Sequence, residues 1–301
     1  MKIVMTGATS GIGLVAASTL LDTGVELMIG ARSPASVPAG LARRATIASL
    51  DLERLHSVRS FAAAVEEWLG DAVIDQLVLN AGMQVGDVRQ RTEDGLETTF
   101  AVNHLAHYLL LRLLMPRLAA GAIVLITTSN LHDPKTNAIA PPEHADAEKL
   151  ARGQVGLSPK SQDSMTVMRA YATSKLCNLL TARALATSTF AQERGLRVIA
   201  FNPGFTPGTG LTRHHSFAFR FFFALLVPVL SVFQRMNTLA GGGSLLADLA
   251  LGRIAPPAGR FYASQVKRRL TWPDPSELAS DDDVMARLWR DSAALVALPE
   301  G

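Results

Sequence analysis

Residues 5–13 read MTGATSGIG, set between the apolar run KIVM and a helical pattern through Leu14–Leu21. A strand that turns through three glycines into a helix restricts the fold severely. Gly7, Gly11 and Gly13 let the backbone approach a phosphate group and leave a helix N-terminus facing it. With Thr9, Ser10 and Ile12 between them, they predict a loop that holds the pyrophosphate of a dinucleotide. The remaining chain keeps the matching rhythm. VELMIG, ATIASLDL, DQLVLN, AIVLITT and LRVIAFN alternate with helical patterns around Val58–Leu69, Gly95–Leu114 and Tyr171–Leu185. This predicts an α/β fold, a doubly wound parallel sheet with helices on both faces. No linker or composition break divides residues 1–301, so they read as a single domain.

The end of the second strand-like run selects the cofactor. An acidic residue there would bind a ribose 2′-hydroxyl. The chain has GARS instead, and Arg32 with Ser33 suits a 2′-phosphate. The expected cofactor is NADP(H). A formal charge of +3 without a basic stripe argues against a nucleic-acid groove. A single cysteine excludes an internal disulfide and a multi-cysteine zinc site. With strand-like residues from the first turn and no leader, the expected setting is cytoplasmic.

RAYATSK places Tyr171 and Lys175 four residues apart, on one face of a helix. A nearby ammonium favours phenolate and would tune tyrosine as an acid/base. His104 and His107 share a helix with Asn103, and packing with helix hydrogen bonds is the expected use of both. Cys177 falls on another side of the Tyr171 helix and reads as a small buried hydrophobe.

TGATSGIG, NAG at 80–82, Asn103, Ser129 and YATSK in this order resemble the short-chain dehydrogenase/reductase family. The resemblance implies a Rossmann sheet of about seven strands. It implies Tyr171 as the acid/base, Lys175 as its partner on the nicotinamide ribose, and Ser129 as the donor to the carbonyl oxygen. Asn103 would hold a water in a relay to Lys175. Asp51, followed by Leu52, would face the adenine. Asn80, Ala81 and Gly82 would lie beneath the adenosine ribose. Pro203 and Gly204 of NPGFTPGTG, with Thr206 or Thr209, would hold the nicotinamide amide. LITTSNLHD also offers Thr127 and Thr128 as hydroxyl donors, with Ser129 preferred at the expected strand end.

VNHLAHYLL and SKLCN are similar to the retinol dehydrogenase-like and protochlorophyllide reductase-like branch. That branch implies a hydrophobic small-molecule substrate. The main expectation is hydride transfer at a carbonyl or alcohol carbon. The alternatives are a protochlorophyllide reductase-like C=C reductase and a catalytically silent NADP-binding regulatory protein. Phe205 stands where the photoenzyme usually carries cysteine. Residues 130–168 read as a polar insertion, and 205–244 as a substrate lid. Within the latter, FAFRFFFALLVPVLSVF at 217–233 is too short and interrupted to span a bilayer, though a membrane-surface contact is a second reading. No metal site is expected.

Overall fold

The computed structural model describes residues 1–156, 164–207 and 237–299. One eight-stranded sheet runs through them. Its strands are β1 (Lys2–Thr6), β2 (Glu26–Ala31), β3 (Thr46–Ser49), β4 (Ile74–Leu79), β5 (Leu118–Thr127), β6 (Arg197–Asn202), β7 (Tyr262–Val266) and β8 (Arg269–Thr271). The order is β3-β2-β1-β4-β5-β6-β7-β8. Every pairing is parallel except β7 with β8. Strand order reverses between β1 and β4, so the connections leave a crevice at the carboxyl ends of the strands.

Alternate residues feed two cores, as the twofold period of a strand requires. Val4, Met28, Leu77, Leu79 and Val124 face helices Leu55–Leu69, Ala106–Leu114 and Ser164–Thr187. Ile3, Met5, Leu27, Ile29 and Leu125 face helices Gly11–Leu21 and Leu239–Ala250. The latter two helices meet at Gly243. A Cβ added there would lie 2.4 Å from Val15 Cβ and 2.8 Å from the Ile12 carbonyl oxygen.

The parallel strands number seven, as expected, and an eighth adds an antiparallel edge turned through Lys267 and Arg268 at φ 51° and 64°. Two expectations change. The described part of the 130–168 insertion is anchored in the fold. Ala145, Ala147, Leu150 and Val155 are buried in the core, and Ser164 already begins the Tyr171 helix. The lid segment also ends early, because its residues from Leu239 belong to the helix packed on Gly11–Leu21. The apolar stretch 217–233 and Thr209 lie outside the described residues. Among the described residues no helix is long and apolar enough to cross a membrane.

The Gly243 contact gives a direct test of the helix packing. Gly243→Ala forces its methyl against Val15 and is expected to lower unfolding free energy by about 1–3 kcal/mol in a urea titration. Unchanged stability would contradict this packing.

Candidate active site

The crevice at the strand ends is one continuous cleft. Its floor is the glycine loop. Gly7 takes φ 68°, and a Cβ on Gly13 would fall 1.9 Å from the Gly7 carbonyl oxygen. No larger residue fits where that turn meets the first helix. The Asn80 carboxamide closes the loop from the β4 side by donating from Nδ2 to the Gly7 carbonyl at 3.1 Å. Thr9, Ser10, Gly11 and Ile12 line the same floor. Exposed N–H groups at a helix N-terminus above glycines make a cradle for a phosphate.

At one end lie Arg32, Asp51, Leu52 and Glu53. Arg32 is 66% exposed and stands 3.5 Å from the Glu53 carboxylate. An ion pair this exposed contributes little to stability, but it holds the guanidinium beside the cleft. Asp51 accepts from the Glu53 amide and lies 3.5 Å from Arg54. Glu53 was not among the sequence candidates. Its only sequence signal is its place two residues after Asp51.

At the other end, Tyr171 and Lys175 face the cleft together, as their spacing predicts. Both are buried, at 9% and 2% exposure. Lys175 Nζ donates to the Thr127 carbonyl at 3.2 Å and lies 5.8 Å from the centre of the Tyr171 ring. Burial pushes the Lys175 ammonium down to about 8. Burial also pushes the Tyr171 phenol above its ordinary 10, the reverse of the expected downward tuning. Desolvation disfavours both charged forms here. Tyr171 is therefore a protonated phenol at neutral pH.

The three hydroxyls at the end of β5 separate cleanly. Thr127 donates to Asn80 Oδ1 at 3.1 Å, and Thr128 donates to the Lys175 carbonyl at 2.6 Å. Ser129, one residue beyond this wall, only accepts, from the Leu131 amide at 3.3 Å. Among the described residues nothing takes its hydroxyl proton, and Ser129 stands just outside the cleft lining. Asn103 is fully buried, and its side chain clamps Met83. Oδ1 accepts from the Met83 amide at 2.7 Å, while Nδ2 donates to the Met83 carbonyl at 2.8 Å and to Ser174 Oγ at 2.9 Å. Its carboxamide is thus taken up by the scaffold. Ala81 and Gly82 line the cleft between these groups, where a Cβ on Gly82 would reach 3.1 Å from Lys175 Nζ.

Pro203 reaches the cleft, whereas Gly204 and Thr206 stand outside its lining. Thr206 is buried, with its hydroxyl turned back on the Pro203 and Gly204 carbonyls. Cys177 is buried and its thiol is pushed up by burial, so it does not join the site. His104 and His107 are buried within the helix that carries Asn103, hydrogen-bonded as expected. Among the described residues no group of three metal-ligating side chains exists.

The family model for short chain dehydrogenases matches residues 1–140. The chain is 31% identical to protochlorophyllide reductase A, chloroplastic, of Hordeum vulgare, over 98% of this chain and 80% of that protein. It is 29% identical to the WW domain-containing oxidoreductase of Drosophila melanogaster, over 98% of this chain and 68% of that one. A short chain dehydrogenase from Burkholderia cenocepacia, solved in complex with NADP, shares the fold. The TM-score is 0.56 at 22% identity, over 84% of this chain and 90% of that one. The chain belongs to the short-chain dehydrogenase family, a family of oxidoreductases.

The buried histidines make stability depend on pH. His104 and His107 stay neutral in the fold, with values near 3 and 4 against an ordinary 6.5. Unfolding therefore takes up protons at both as pH falls from 6.5 toward 4, and stability falls with it. Glu97, raised to about 6 from 4.5 by burial, opposes this over its own narrower window, because the native state holds its proton longer. The net expectation is a lower unfolding temperature at pH 5 than at pH 7 in a calorimetric scan. A higher one would contradict the neutral buried imidazoles.

Proposed function

We propose that the protein is an NADP(H)-dependent oxidoreductase acting on the carbonyl or alcohol carbon of a hydrophobic substrate. The observation that carries this reading is a single cleft joining the glycine cradle, Arg32 and the Tyr171–Lys175 pair. The residues present fit the cofactor. Gly7, Gly11 and Gly13 line the cleft at the N-terminus of the first helix, where they would hold a pyrophosphate, and Arg32 at the end of the same cleft would hold a 2′-phosphate. The NADP in the Burkholderia cenocepacia structure supports the same choice.

Bound there, the reduced nicotinamide supplies the hydride. Tyr171 gives its proton to the substrate oxygen as negative charge develops. Ser129 donates its uncommitted hydroxyl proton to the same oxygen, and a preorganised donor acts most strongly where water is excluded. Lys175, with its value near 8, is cationic at pH 7 and stabilises the phenolate left behind. In the reverse direction the same residues take the alcohol proton.

A second reading is reduction of a C=C bond in a tetrapyrrole. The 31% identity to the barley protochlorophyllide reductase favours it. A panel of apolar aldehydes, ketones and alcohols, with protochlorophyllide under light as one member, separates the two. Turnover of carbonyls in the dark supports the main reading, and turnover confined to illuminated protochlorophyllide supports the second. NADPH binding with no turnover of any member would favour a silent, regulatory protein.

Two variants test the assigned roles. Tyr171→Phe removes the proton and is expected to lower kcat by about a hundredfold or more while NADPH still binds. Normal turnover would refute the mechanism. Arg32→Ala is expected to reduce the preference for NADPH over NADH by about tenfold or more. An unchanged preference would remove Arg32 from cofactor selection.

A further inference from the structure

His107 lies outside the cleft lining, yet its ring joins two parts of the site. The imidazole is 2% exposed. Nε2 lies 2.9 Å from Thr6 Oγ1, and Nδ1 lies 3.0 Å from the Asn103 carbonyl oxygen. The protonation pattern follows from counting. Thr6 Oγ1 already accepts two backbone N–H groups, from Asn80 at 3.0 Å and from Ala81 at 3.1 Å. A hydroxyl oxygen has two acceptor positions and one proton. Its proton therefore goes to His107 Nε2, which must be bare. The neutral ring then carries hydrogen on Nδ1, and Nδ1 faces a carbonyl that can only accept. Every position agrees with one tautomer.

The groups so joined belong to different elements. Thr6 ends β1, and Asn80–Ala81 is the turn after β4 that lines the cleft. Asn103 lies in the π-helical stretch Ala101–Leu105, and its side chain clamps Met83 beside Gly82. We propose that His107 is a positioning residue. Through the Nδ1–H tautomer it holds the cofactor-side turn at Asn80–Ala81 and the Asn103 backbone in one register against Lys175. The catalytic consequence rests on the function proposed above; the hydrogen-bond chain does not.

Two substitutions cut the chain at opposite ends. His107→Asn keeps a donor near the Nδ1 position and loses the contact with Thr6. His107→Gln keeps a group near the Nε2 position and loses the contact with Asn103. His107→Asn is expected to raise the NADPH Kd about fivefold or more, with kcat at saturation little changed. His107→Gln is expected to keep Kd and lower kcat by a similar factor. A merely structural role would lower the unfolding temperature of both variants and leave Kd and kcat per folded site at wild-type values; that result overturns the proposal. Nitrogen-15 NMR of the wild-type protein tests the chain without activity. A neutral ring with bare Nε2 at pH 7 is expected, and an Nε2–H tautomer or a cation would overturn it. If wild-type protein binds neither NADPH nor NADH, the functional reading fails, and the NMR result still decides the tautomer.

Discussion

The hydroxyl of Thr6 is the point at which this site is tied together. Reversal of strand order between β1 and β4 opens the crevice and brings the ends of these paired strands side by side there. Thr6 Oγ1 joins them by accepting from Asn80 and Ala81 and donating to His107. The Asn80 carboxamide then reaches the Gly7 carbonyl, and Thr127 reaches Asn80 in turn. A buried polar network of this kind is stable only when each member is satisfied. Here all its members but His107 line the cleft.

Desolvation sets the chemistry inside those walls. Tyr171 is raised, Lys175 lowered, and the two helix histidines are kept neutral, in each case chiefly by burial. The cationic groups of the cleft are therefore few and separated. Lys175 stands beside the phenol, while Arg32 stands at the far, exposed end beside Glu53. A protonated phenol and an ammonium lowered to about 8 thus stand side by side in the cleft.

The parts legible in the sequence are those whose physics is local. A glycine turn between a strand and a helix needs no distant partner to be read, and Gly13 against Gly7 is a contact six residues apart in sequence. Tyr171 and Lys175 follow from helical spacing, given the motifs elsewhere. What the sequence hid depends on tertiary contacts. Thr6 and His107 are 101 residues apart. The downward tuning of Tyr171 was expected from its charged neighbour, and the burial that outweighs it is a property of the assembled fold. The insertion looked polar because its buried anchors include alanines, Ala145 and Ala147, which carry little signal of their own. The β7–β8 turn bears no local mark, because Lys267 and Arg268 occupy positions where glycine or asparagine is usual.

Hydride transfer between nicotinamide and substrate carbon is the central claim, and isotope transfer tests it most directly. NADPH deuterated at the nicotinamide C4 position would be incubated with an apolar aldehyde or ketone that the protein turns over. Deuterium bonded to the carbinol carbon of the product is the expected result. NADPH consumption or binding with no deuterium on the product carbon, across the whole carbonyl series, would contradict it.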